Sequence, residues 1–582
     1  MPKIMGSSST FIDGKFGGHN GRTLRTGDVL RLQEKCVIDS IDSMPEKYRP
    51  KLTNEWTIGV IPGPQPTPEY LKPEYLKTLT ESEYEVNFNS ARTGIRLNGP
   101  IPQWVREDGG EAGLHPSNIH DNAYAVGTLD LTGDQSILLG PDGPSLGGFV
   151  CSVTTAKGEM WKLGQLHPGD KVHFRLLDLD QAKEIREAEE ANLRHEYQEV
   201  VLPEQKDLDY HYAILAEETA AGTKIVARLD GEDNILVEYG EMELDIAIRF
   251  RVHVLMQELK KKDLPVIDLT PGIRSLQIHF DIEKISLKEM LAAVLETNRT
   301  LPELSDVTVP SRIIWLPLSW DDPQTQLAAK RYQQTVRPNA PWCPSNPEFI
   351  RRINGLDSIE DVKKIVFDAD YLVLGLCDVY LGAPVATPVD PRHRMVTTKY
   401  NPARPWTPEN AVGIGGAYLC VYGMEGPGGY RFVGPNIQMW NPLKETEYFK
   451  HGKPWLLDFF DQIRFYPVSA EEILKDREDF LRGRFKIKIE ETSFNLGKYE
   501  QFLKEHEDTI RVFKDHQEAS FEAERKMWKE KGLDEFDSET QDAPAIVEET
   551  VPDGCEAART NIPGSVWKVL VEDGQKVREG DT

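Results

Sequence analysis

Apolar and polar residues alternate with a period of two along much of the first part of the chain, which is the pattern of short β-strands. Residues 24–32 (LRTGDVLRL) and 163–176 (LGQLHPGDKVHFRL) each place a Gly-Asp turn before such an alternation. Two shorter strands are expected at 125–131 and 136–139, in a region that Gly and Pro interrupt. This spacing predicts an all-β module.

The middle of the chain alternates strand patterns with helix patterns. Residues 235–241 (ILVEYGE) and 272–280 (GIRSLQIHF) have the composition of strands, and residues 286–297 have the period of a helix. Ser286 is placed as the N-cap of that helix, and Glu289 completes a capping box. The alternation predicts an α+β module.

Two charged segments predict helices. Residues 179–198 (LDQAKEIREAEEANLRHEYQ) are expected to form a solvated connector. Residues 448–532 are expected to form an extension that ends in a long charged helix. Large apolar residues recur in this extension at roughly helical spacing: Leu503, Ile510, Phe513, Phe521 and Trp528.

These patterns divide the chain into six parts. The predicted parts are a first half at 1–178, a helical connector at 179–207, a second half at 208–445, a helical extension at 446–532, an acidic linker at 533–555 and a final segment at 556–582. The linker is rich in acids and proline and poor in large apolar residues, which is typical of a flexible tether. The final segment holds two strand-like runs joined by a turn at Asp573-Gly574.

The overall charge excludes some functions. The 582 residues carry a formal charge of −27, which argues against sequence-independent binding to nucleic acid and against binding to anionic membranes. No apolar run approaches the length of a bilayer span, and the start MPKIMGSSSTF lacks the features of a signal peptide. We therefore expect a globular, cytoplasmic protein with no nucleic-acid or membrane partner.

The cysteines are predicted to be reduced thiols in ordinary packing. None belongs to a CxxC pair, and their wide spacing fits neither a disulfide framework nor a zinc knuckle. Their positions are Cys36, Cys151, Cys343, Cys377, Cys420 and Cys555.

A polar loop predicted at 113–127 (GLHPSNIHDNAYAVG) is the first candidate site. Its side chains can offer both donors and acceptors to a small polar ligand: Ser117, Asn118, His120, Asp121, Asn122 and Tyr124. The alternative is a network of Asx-turns that only holds the loop. No metal site is predicted, because His115 and His120 lack a third ligand at a familiar spacing.

Two further stretches could carry chemistry. In residues 138–149 (LLGPDGPSLGGF), Gly147 and Gly148 would let backbone N–H groups approach a ligand, but the order of residues is not that of a P-loop. Asp378 stands alone between apolar neighbours near the end of a predicted strand, where a carboxylate needs a partner or a ligand. The alternative for Asp378 is a salt bridge, and its candidate partners are Arg392, Arg394 and Arg404.

The GIGG at 413–416 matches only part of a dinucleotide fingerprint and is weak evidence for such a site. It nevertheless belongs to a stretch that carries a family resemblance. Residues 113–176 resemble the first half, and residues 373–441 the second half, of the carboxyltransferase region of urea carboxylase. The halves are also similar to subunits called allophanate hydrolase subunits 2 and 1, and to subunits of 5-oxoprolinase. After GIAG that wider family usually has Gln, whereas this chain has Tyr418 and so resembles urea carboxylase.

The resemblance implies a mainly β fold with an α+β part. It consists of two cyclophilin-like β-barrel halves, a helical extension and, at 556–582, the start of a biotinyl-type β-barrel. The sequence ends before the expected biotinyl lysine, and it lacks the motifs with which the first half of the family begins. The chain therefore reads as an interior fragment, which alone is expected to be inactive in the full reaction.

The implied activity is transfer of a carboxyl group from carboxybiotin to urea, giving allophanate. The cofactor is biotin on a lysine outside this sequence, while ATP and bicarbonate would be used by a biotin carboxylase domain not present here. Expected partners are urea, the biotin carrier domain and the biotin carboxylase domain, with an allophanate hydrolase and a second copy of the chain as further candidates. Two alternatives stay open: a 5-oxoprolinase-type amidohydrolase on the same scaffold, and a non-catalytic truncated fragment.

The resemblance also places the site between the two halves. A urea site must hold the N–H groups, polarise the oxygen and provide for a proton. We assign Asp378 as the acceptor that orients urea, helped by Asn118 or Asn122 from the other half. The residues expected to bind urea or carboxybiotin are His120, Asp121, Tyr124, Gly147, Gly148, Tyr380, Arg404, Gly415, Gly416 and Tyr418.

Overall fold

The structure is a computed structural model that describes residues 3–12, 14–30, 44–113, 115–220, 222–377, 382–441, 444–450, 452–533 and 575–576. The chain separates into two compact units, Met1–Asp534 and Glu535–Thr582. The fold and the candidate site lie in the first unit. The predicted linker, apart from Leu533, and nearly all of the predicted biotinyl-type segment lie outside the described residues.

A closed seven-stranded barrel forms the core of the first half, with strand order β10-β3-β11-β4-β5-β8-β7. The strands of this half are β1 (Thr10–Phe11), β2 (Phe16–Gly17), β3 (Glu55–Pro62), β4 (Tyr84–Val86), β5 (Gly94–Asn98), β6 (Asn118–Ala123), β7 (Thr128–Thr132), β8 (Gln135–Leu139), β9 (Leu146–Phe149), β10 (Cys151–Thr155) and β11 (Lys171–Leu176). Its helices are α1 (Tyr75–Glu81), α2 (Met160–Leu163) and α3 (Leu179–Leu193). Apolar side chains at alternate positions, such as Ile58 and Val60 of β3, are fully buried inside the barrel.

A five-stranded antiparallel sheet follows, covered by two helices. Its strand order is β12-β13-β14-β16-β15. The elements are β12 (Ile214–Ala220), β13 (Thr223–Leu229), β14 (Asn234–Tyr239), α4 (Ile246–Lys260), β15 (Val266–Pro271), β16 (Ser275–Phe280) and α5 (Leu287–Arg299). Ser286 and Glu289 form the predicted capping box at the start of α5. The α+β character predicted for this region is confirmed.

An eight-stranded sheet forms the last part of the fold, with strand order β24-β21-β22-β19-β18-β25-β17-β26. The elements are β17 (Thr308–Ser319), α6 (Pro323–Thr335), α7 (Asn346–Ile353), α8 (Ile359–Asp368), β18 (Tyr371–Cys377), β19 (Ala383–Pro388), β20 (Arg404–Thr407), β21 (Ala411–Gly415), β22 (Tyr418–Val421), β23 (Gly426–Gly428), β24 (Arg431–Pro435), β25 (Gln462–Val468), α9 (Ala470–Leu481), β26 (Lys488–Asn495), α10 (Leu496–Glu505) and α11 (Glu507–Lys531). The mainly β fold with α+β is therefore confirmed, as a closed barrel and a half-barrel.

The extension predicted to be helical also contributes two strands, which corrects that expectation. Strand β25 lies parallel to β17, and β26 pairs with the other edge of β17. Alternate residues of β25, among them Ile463 and Phe465, are buried in the core of the sheet. This alternation outweighed the helical pattern of the flanking residues.

The long helix α11 bridges the two halves. Arg525 pairs with Asp108 of the first half at 2.8 Å. The neighbouring Glu524 pairs with Arg352 of α7 at 2.7 Å. Trp528 is 4% exposed and packs among aromatic residues of the second half. The helix thus fastens the seam at which a shared site is expected.

Two predicted elements differ from the structure. The turn at Thr26-Gly27 forms, but residues 28–30 are not in a strand, because the Asp28 side chain instead pairs with Arg22 and caps the Arg25 N–H. The predicted connector helix is α3, and it is not a fully solvated helix. Its buried residues Ala182 and Ile185 dock it against the first half.

Two other findings concern whole-chain expectations. The described cysteines are free thiols, as predicted: Cys151, Cys343, Cys377 and Cys420. Among the described residues, none of the helices combines the length and apolar character needed to cross a membrane.

Candidate active site

The polar residues at 118–123 form a strand rather than the predicted loop. Strand β6 pairs with β9, and all six of its residues are buried. Buried polar side chains require partners, and here several of those partners come from the second half of the chain. The Ser275 hydroxyl, for example, donates to Oδ1 of Asn122 at 2.6 Å. The strand therefore lies at the seam between the halves.

His120 and Tyr418 join the halves directly. The Tyr418 hydroxyl lies 2.5 Å from Nδ1 of His120, and both side chains are buried. Burial, with the nearby Arg274 guanidinium, lowers the pKa of His120 to about 3, so its imidazole is neutral. A neutral imidazole accepts at one nitrogen, which fits donation by Tyr418. We assign this pair to holding the two halves in register.

The two asparagines have different environments. Oδ1 of Asn118 accepts a hydrogen bond from the His115 N–H at 3.2 Å, which is the turn network that was the alternative interpretation. Asn122 uses Oδ1 for Ser275, while its Nδ2 is buried without a hydrogen-bond partner. An unused buried donor is costly. Of the two, Asn122 is therefore better suited to donate to a ligand.

Asp121 and Lys399 flank one glycine of the first half. A β-carbon at Gly148 would stand 2.8 Å from Oδ1 of Asp121 and 3.1 Å from Nζ of Lys399. The two charges attract each other but do not form a hydrogen bond or ion pair with each other. Gly148 thus leaves bare backbone between an acid of the first half and an amine of the second.

Burial shifts both ionisable groups toward neutrality. It raises the pKa of the Asp121 carboxyl above its usual value, and the Lys399 ammonium opposes that shift. Burial likewise lowers the pKa of Lys399, against the pull of Asp121 and Asp130. Burial raises the pKa of Asp130 to about 7. Groups displaced toward neutral pH in this way are suited to exchange protons.

Aromatic rings surround the Lys399 ammonium group. It lies 4.8 Å from the centroid of the Phe149 ring and 5.8 Å from that of Tyr430. Such faces stabilise a cation without neutralising it. Lys399 was not among the residues predicted from the sequence, because a single lysine before Tyr-Asn-Pro carries no motif. Its role depends on contacts that only the folded halves create.

The remaining predicted residues line or support this region. The Tyr124 hydroxyl accepts from the Phe149 N–H at 2.8 Å, and its ring covers Gly147. Gly415 faces the Tyr430 ring. Gly416 has φ +59°, and its N–H donates to the Thr397 carbonyl at 2.9 Å, so it serves a turn.

The predicted arginine partners of Asp378 bind other groups. Arg392 pairs with Asp390 at 2.6 Å, and Arg394 donates to the Tyr499 hydroxyl at 2.9 Å. Arg404 donates to the Tyr430 carbonyl at 2.6 Å. Asp378 and Tyr380 themselves lie outside the described residues, and their roles stay predictions.

Two family models match the chain. The model of the carboxyltransferase domain, subdomains A and B, matches residues 1–176. The model of the carboxyltransferase domain, subdomains C and D, matches residues 225–449. The residues that meet at Gly148 therefore come from both models, Asp121 from the first and Lys399 from the second.

Known proteins are similar over most of the chain. A urea amidolyase from Lachancea kluyveri is 37% identical over 600 residues, which cover 100% of this chain and 32% of that protein. The crystal structure of the Kluyveromyces lactis urea carboxylase matches with a TM-score of 0.81 and 38% identity, over 89% of this chain and 48% of that one. This chain thus spans about a third to a half of these longer proteins.

The similarity to 5-oxoprolinase is partial. One of the component polypeptides of that enzyme from Escherichia coli is 26% identical over 190 residues, which cover 32% of this chain and 56% of that polypeptide. The 5-oxoprolinase-type alternative is therefore not favoured, because the urea-processing relatives match the whole length.

Proposed function

Because it carries both parts of the carboxyltransferase domain, this chain belongs to the carboxyltransferase-domain family, and we propose that it moves a carboxyl group from carboxybiotin to urea. The product of this transfer is allophanate. The similarity to urea amidolyase and urea carboxylase supports urea as the acceptor. In the same proposal, a biotin carboxylase using ATP and bicarbonate and a biotin carrier domain are its partners in the cytoplasm.

The observation that carries the proposal is the meeting of Asp121 and Lys399 at Gly148. Carboxyl transfer brings an anionic carboxylate to a weakly nucleophilic amide nitrogen. A fixed cation draws the carboxylate in, and a fixed acceptor holds the N–H groups of the amide. The structure offers one of each, on opposite sides of a bare glycine and from different halves.

The residues at this site fit a biotin-borne carboxyl group. When bound, carboxybiotin supplies the carboxyl group, and its ureido nitrogen ends with a proton. Gly148 leaves room that a β-carbon would fill, so a flat ligand can lie against the backbone. The Lys399 ammonium attracts the carboxylate, and the unused Nδ2 of Asn122 is a donor for a ligand oxygen. In this proposal Lys399 binds and orients the group that is transferred.

Asp121 is assigned to urea. The lone pair of a urea nitrogen is delocalised into the carbonyl, so the nitrogen must lose a proton as the new bond forms. The raised pKa of Asp121 makes this carboxylate a better proton acceptor than an exposed one. Asp378 remains, from the sequence, a second acceptor that orients urea.

The partial reaction tests the proposal without ATP. The purified chain is incubated with chemically prepared N1′-carboxybiotin and carbon-13-labelled urea, and allophanate is followed by NMR. We expect urea-dependent allophanate that Lys399→Met suppresses and that Lys475→Met, at an exposed lysine far from the site in sequence, leaves unchanged. Allophanate at the rate of a heat-denatured control would overturn the assignment, and so would an unaffected Lys399→Met variant.

A further inference from the structure

Two buried arginines lie behind Lys399. Arg404 is 1% exposed and Arg431 is 0% exposed. Over the residues that the structure describes, neither guanidinium pairs with a carboxylate, and each carries a nitrogen without an acceptor. A buried charge without a counter-charge is costly, and apolar replacements of buried charges are often neutral or stabilising. Packing alone therefore gives no reason for arginine at these positions.

Arg431 binds the main chain of the proposed catalytic lysine. Its Nη2 donates to the carbonyl oxygen of Lys399 and to Oγ1 of Thr398, each at 2.9 Å. On the other side of this segment, the Tyr400 N–H donates to the Gly429 carbonyl at 2.7 Å. The backbone is therefore fixed on both sides of Lys399.

Arg404 binds the residue whose ring faces the Lys399 ammonium. Its Nη1 donates to the Tyr430 carbonyl at 2.6 Å, and Nζ of Lys399 lies 5.8 Å from the centroid of the Tyr430 ring. One arginine thus holds the backbone of the amine, and the other holds the backbone of a ring that surrounds it.

An aromatic cage holds the two arginines in turn. We define this cage as Trp342, Phe349, Tyr400 and Phe432. The Arg404 guanidinium lies 3.7 Å from the Phe432 ring centroid and 4.2 Å from that of Tyr400. The Arg431 guanidinium lies 4.2 Å from the same Tyr400 ring and 4.1 Å from that of Trp342. Cation–π contact offsets part of the cost of burial, and it fixes the planes of both guanidinium groups.

We propose that Arg404 and Arg431 are positioning residues that fix the ammonium group of Lys399 beside Gly148. The proposal deepens the proposed function and rests on it for the catalytic meaning of Lys399. The placement itself is independent of that function. Arg431 acts through the Lys399 carbonyl, and Arg404 acts through Tyr430. Neither arginine contacts the reacting groups.

Competitive acetylation tests the placement directly. The folded chain is labelled with trace acetic anhydride at a series of pH values, and the Lys399 peptide is quantified by mass spectrometry. Arg431→Met removes both donated hydrogen bonds, so we expect the apparent pKa of Lys399 to rise toward that of an ordinary lysine as the ammonium gains water. In the carboxybiotin assay we expect kcat to fall about tenfold while KM for urea stays within about twofold.

Arg249→Met is the matched control. Arg249 is also 0% exposed, lies against the rings of Phe459 and Phe460, and donates to the Leu374 carbonyl at 2.7 Å, but it does not contact Lys399. Its loss should leave the labelling curve of Lys399 unchanged. If Arg431→Met does not fold, Arg431→Lys keeps the buried charge and should shift the curve in the same direction by less.

The outcomes separate the two proposals. An unchanged Lys399 labelling curve in a folded Arg431 variant overturns the positioning role. A wild-type chain that makes no allophanate overturns the proposed function, while the labelling curves still decide whether the arginines place Lys399. An equal shift in Arg249→Met would mean that any buried arginine has this effect, and it would also overturn the inference.

Discussion

The hydroxyl group of Tyr418 donates a hydrogen bond to Nδ1 of His120, although the two residues lie 298 positions apart. Tyr418 begins β22 of the second half, and His120 lies within β6 of the first. The next residue of β6 is Asp121, whose carboxylate faces Gly148. This hydrogen bond therefore fixes the register at which the acid of one half meets the amine of the other.

Tyr418→Phe is expected to weaken the seam. The variant removes the hydroxyl and leaves Nδ1 of the buried imidazole without a partner, which costs about 1–3 kcal/mol. Guanidinium denaturation of both proteins measures the free energy of unfolding. Tyr48→Phe, at a half-buried tyrosine of the first half, serves as the control and should change it by less than about 0.5 kcal/mol. Equal stability of Tyr418→Phe and wild type would contradict the importance of the bond.

The buried, neutral His120 should make the protein less stable in acid. Its pKa is lowered to about 3 in the folded chain, whereas that of an unfolded histidine is about 6.5. Between these values the unfolded state binds a proton that the folded state does not, so stability is complete above about pH 6.5 and falls as the pH decreases toward 3. The slope from one such group is at most about 1.4 kcal/mol per pH unit.

His120→Asn isolates this component, because asparagine does not titrate. The free energy of unfolding of the variant, measured from pH 7 to pH 4, should fall less steeply than that of the wild type. Parallel curves would show that His120 does not differ in protonation between the folded and unfolded states.

The sequence predicted local features better than it predicted the site. The capping box of Ser286 and Glu289 depends on residues three positions apart, and it forms as expected. Strand β6 was predicted as a loop, because its side chains are polar and a strand pattern requires apolar ones. Those polar groups are buried only because partners such as Ser275 and Tyr418 arrive from distant parts of the chain.

Lys399 illustrates the same limit. Nothing in its local sequence distinguishes it from other lysines. What marks it is burial, two aromatic faces and an aspartate of the other half, and all three arise from tertiary structure. Of the arginines behind it, Arg404 was visible in the sequence only as a candidate ion-pair partner, and Arg431 carried no signal. Patterns of spacing identify elements, whereas charge pairs across a seam require the fold.

The rate of carboxyl transfer should depend on pH with two limbs. Burial lowers the pKa of Lys399 below the ordinary 10.5, so the rate should fall as the pH rises through that lowered value. Burial raises the pKa of Asp121 above the ordinary 3.8, so the rate should fall as the pH decreases through that raised value. Initial rates of the carboxybiotin assay across pH give both limbs.

Lys399→Arg distinguishes the alkaline limb. Arginine keeps its charge throughout the accessible pH range, so the variant should retain the acid limb and lose the alkaline one, whatever its absolute rate. An alkaline limb that persists in this variant would assign it to another group.

Asp378→Asn is expected to lower transfer while the protein stays folded. Asparagine exchanges one acceptor oxygen for an NH2 group, which would face the N–H groups of urea with the wrong polarity. An unpaired buried group costs about 1–3 kcal/mol, or roughly ten- to hundredfold in rate if the transition state feels it. If Asp378 is instead a structural ion-pair partner, the melting temperature should fall and the rate should change only with the folded fraction. Near-normal turnover in a stable variant would remove Asp378 from the mechanism.

Gly148→Ala tests whether the bare glycine is the floor of the site. The added methyl carbon would stand 2.8 Å from Oδ1 of Asp121 and 3.1 Å from Nζ of Lys399, closer than an ordinary contact. Either the two side chains move apart or the space for the ligand is lost, and both outcomes disturb the pair. We expect transfer to fall at least tenfold, which corresponds to about 1.4 kcal/mol in the transition state.

The fold should tolerate the same change, because the backbone at Gly148 does not have the left-handed conformation that disfavours alanine, and the two site side chains near the added methyl can move at their ends. Gly164→Ala is the matched control, since its β-carbon would meet only the Trp161 carbonyl, at an ordinary 3.5 Å. Both variants should unfold within about 1 kcal/mol of the wild type, so a loss of activity confined to Gly148→Ala can be ascribed to the site. A fully active Gly148→Ala enzyme would place the ligand elsewhere along the seam, and Lys399 would then have to act from a different position.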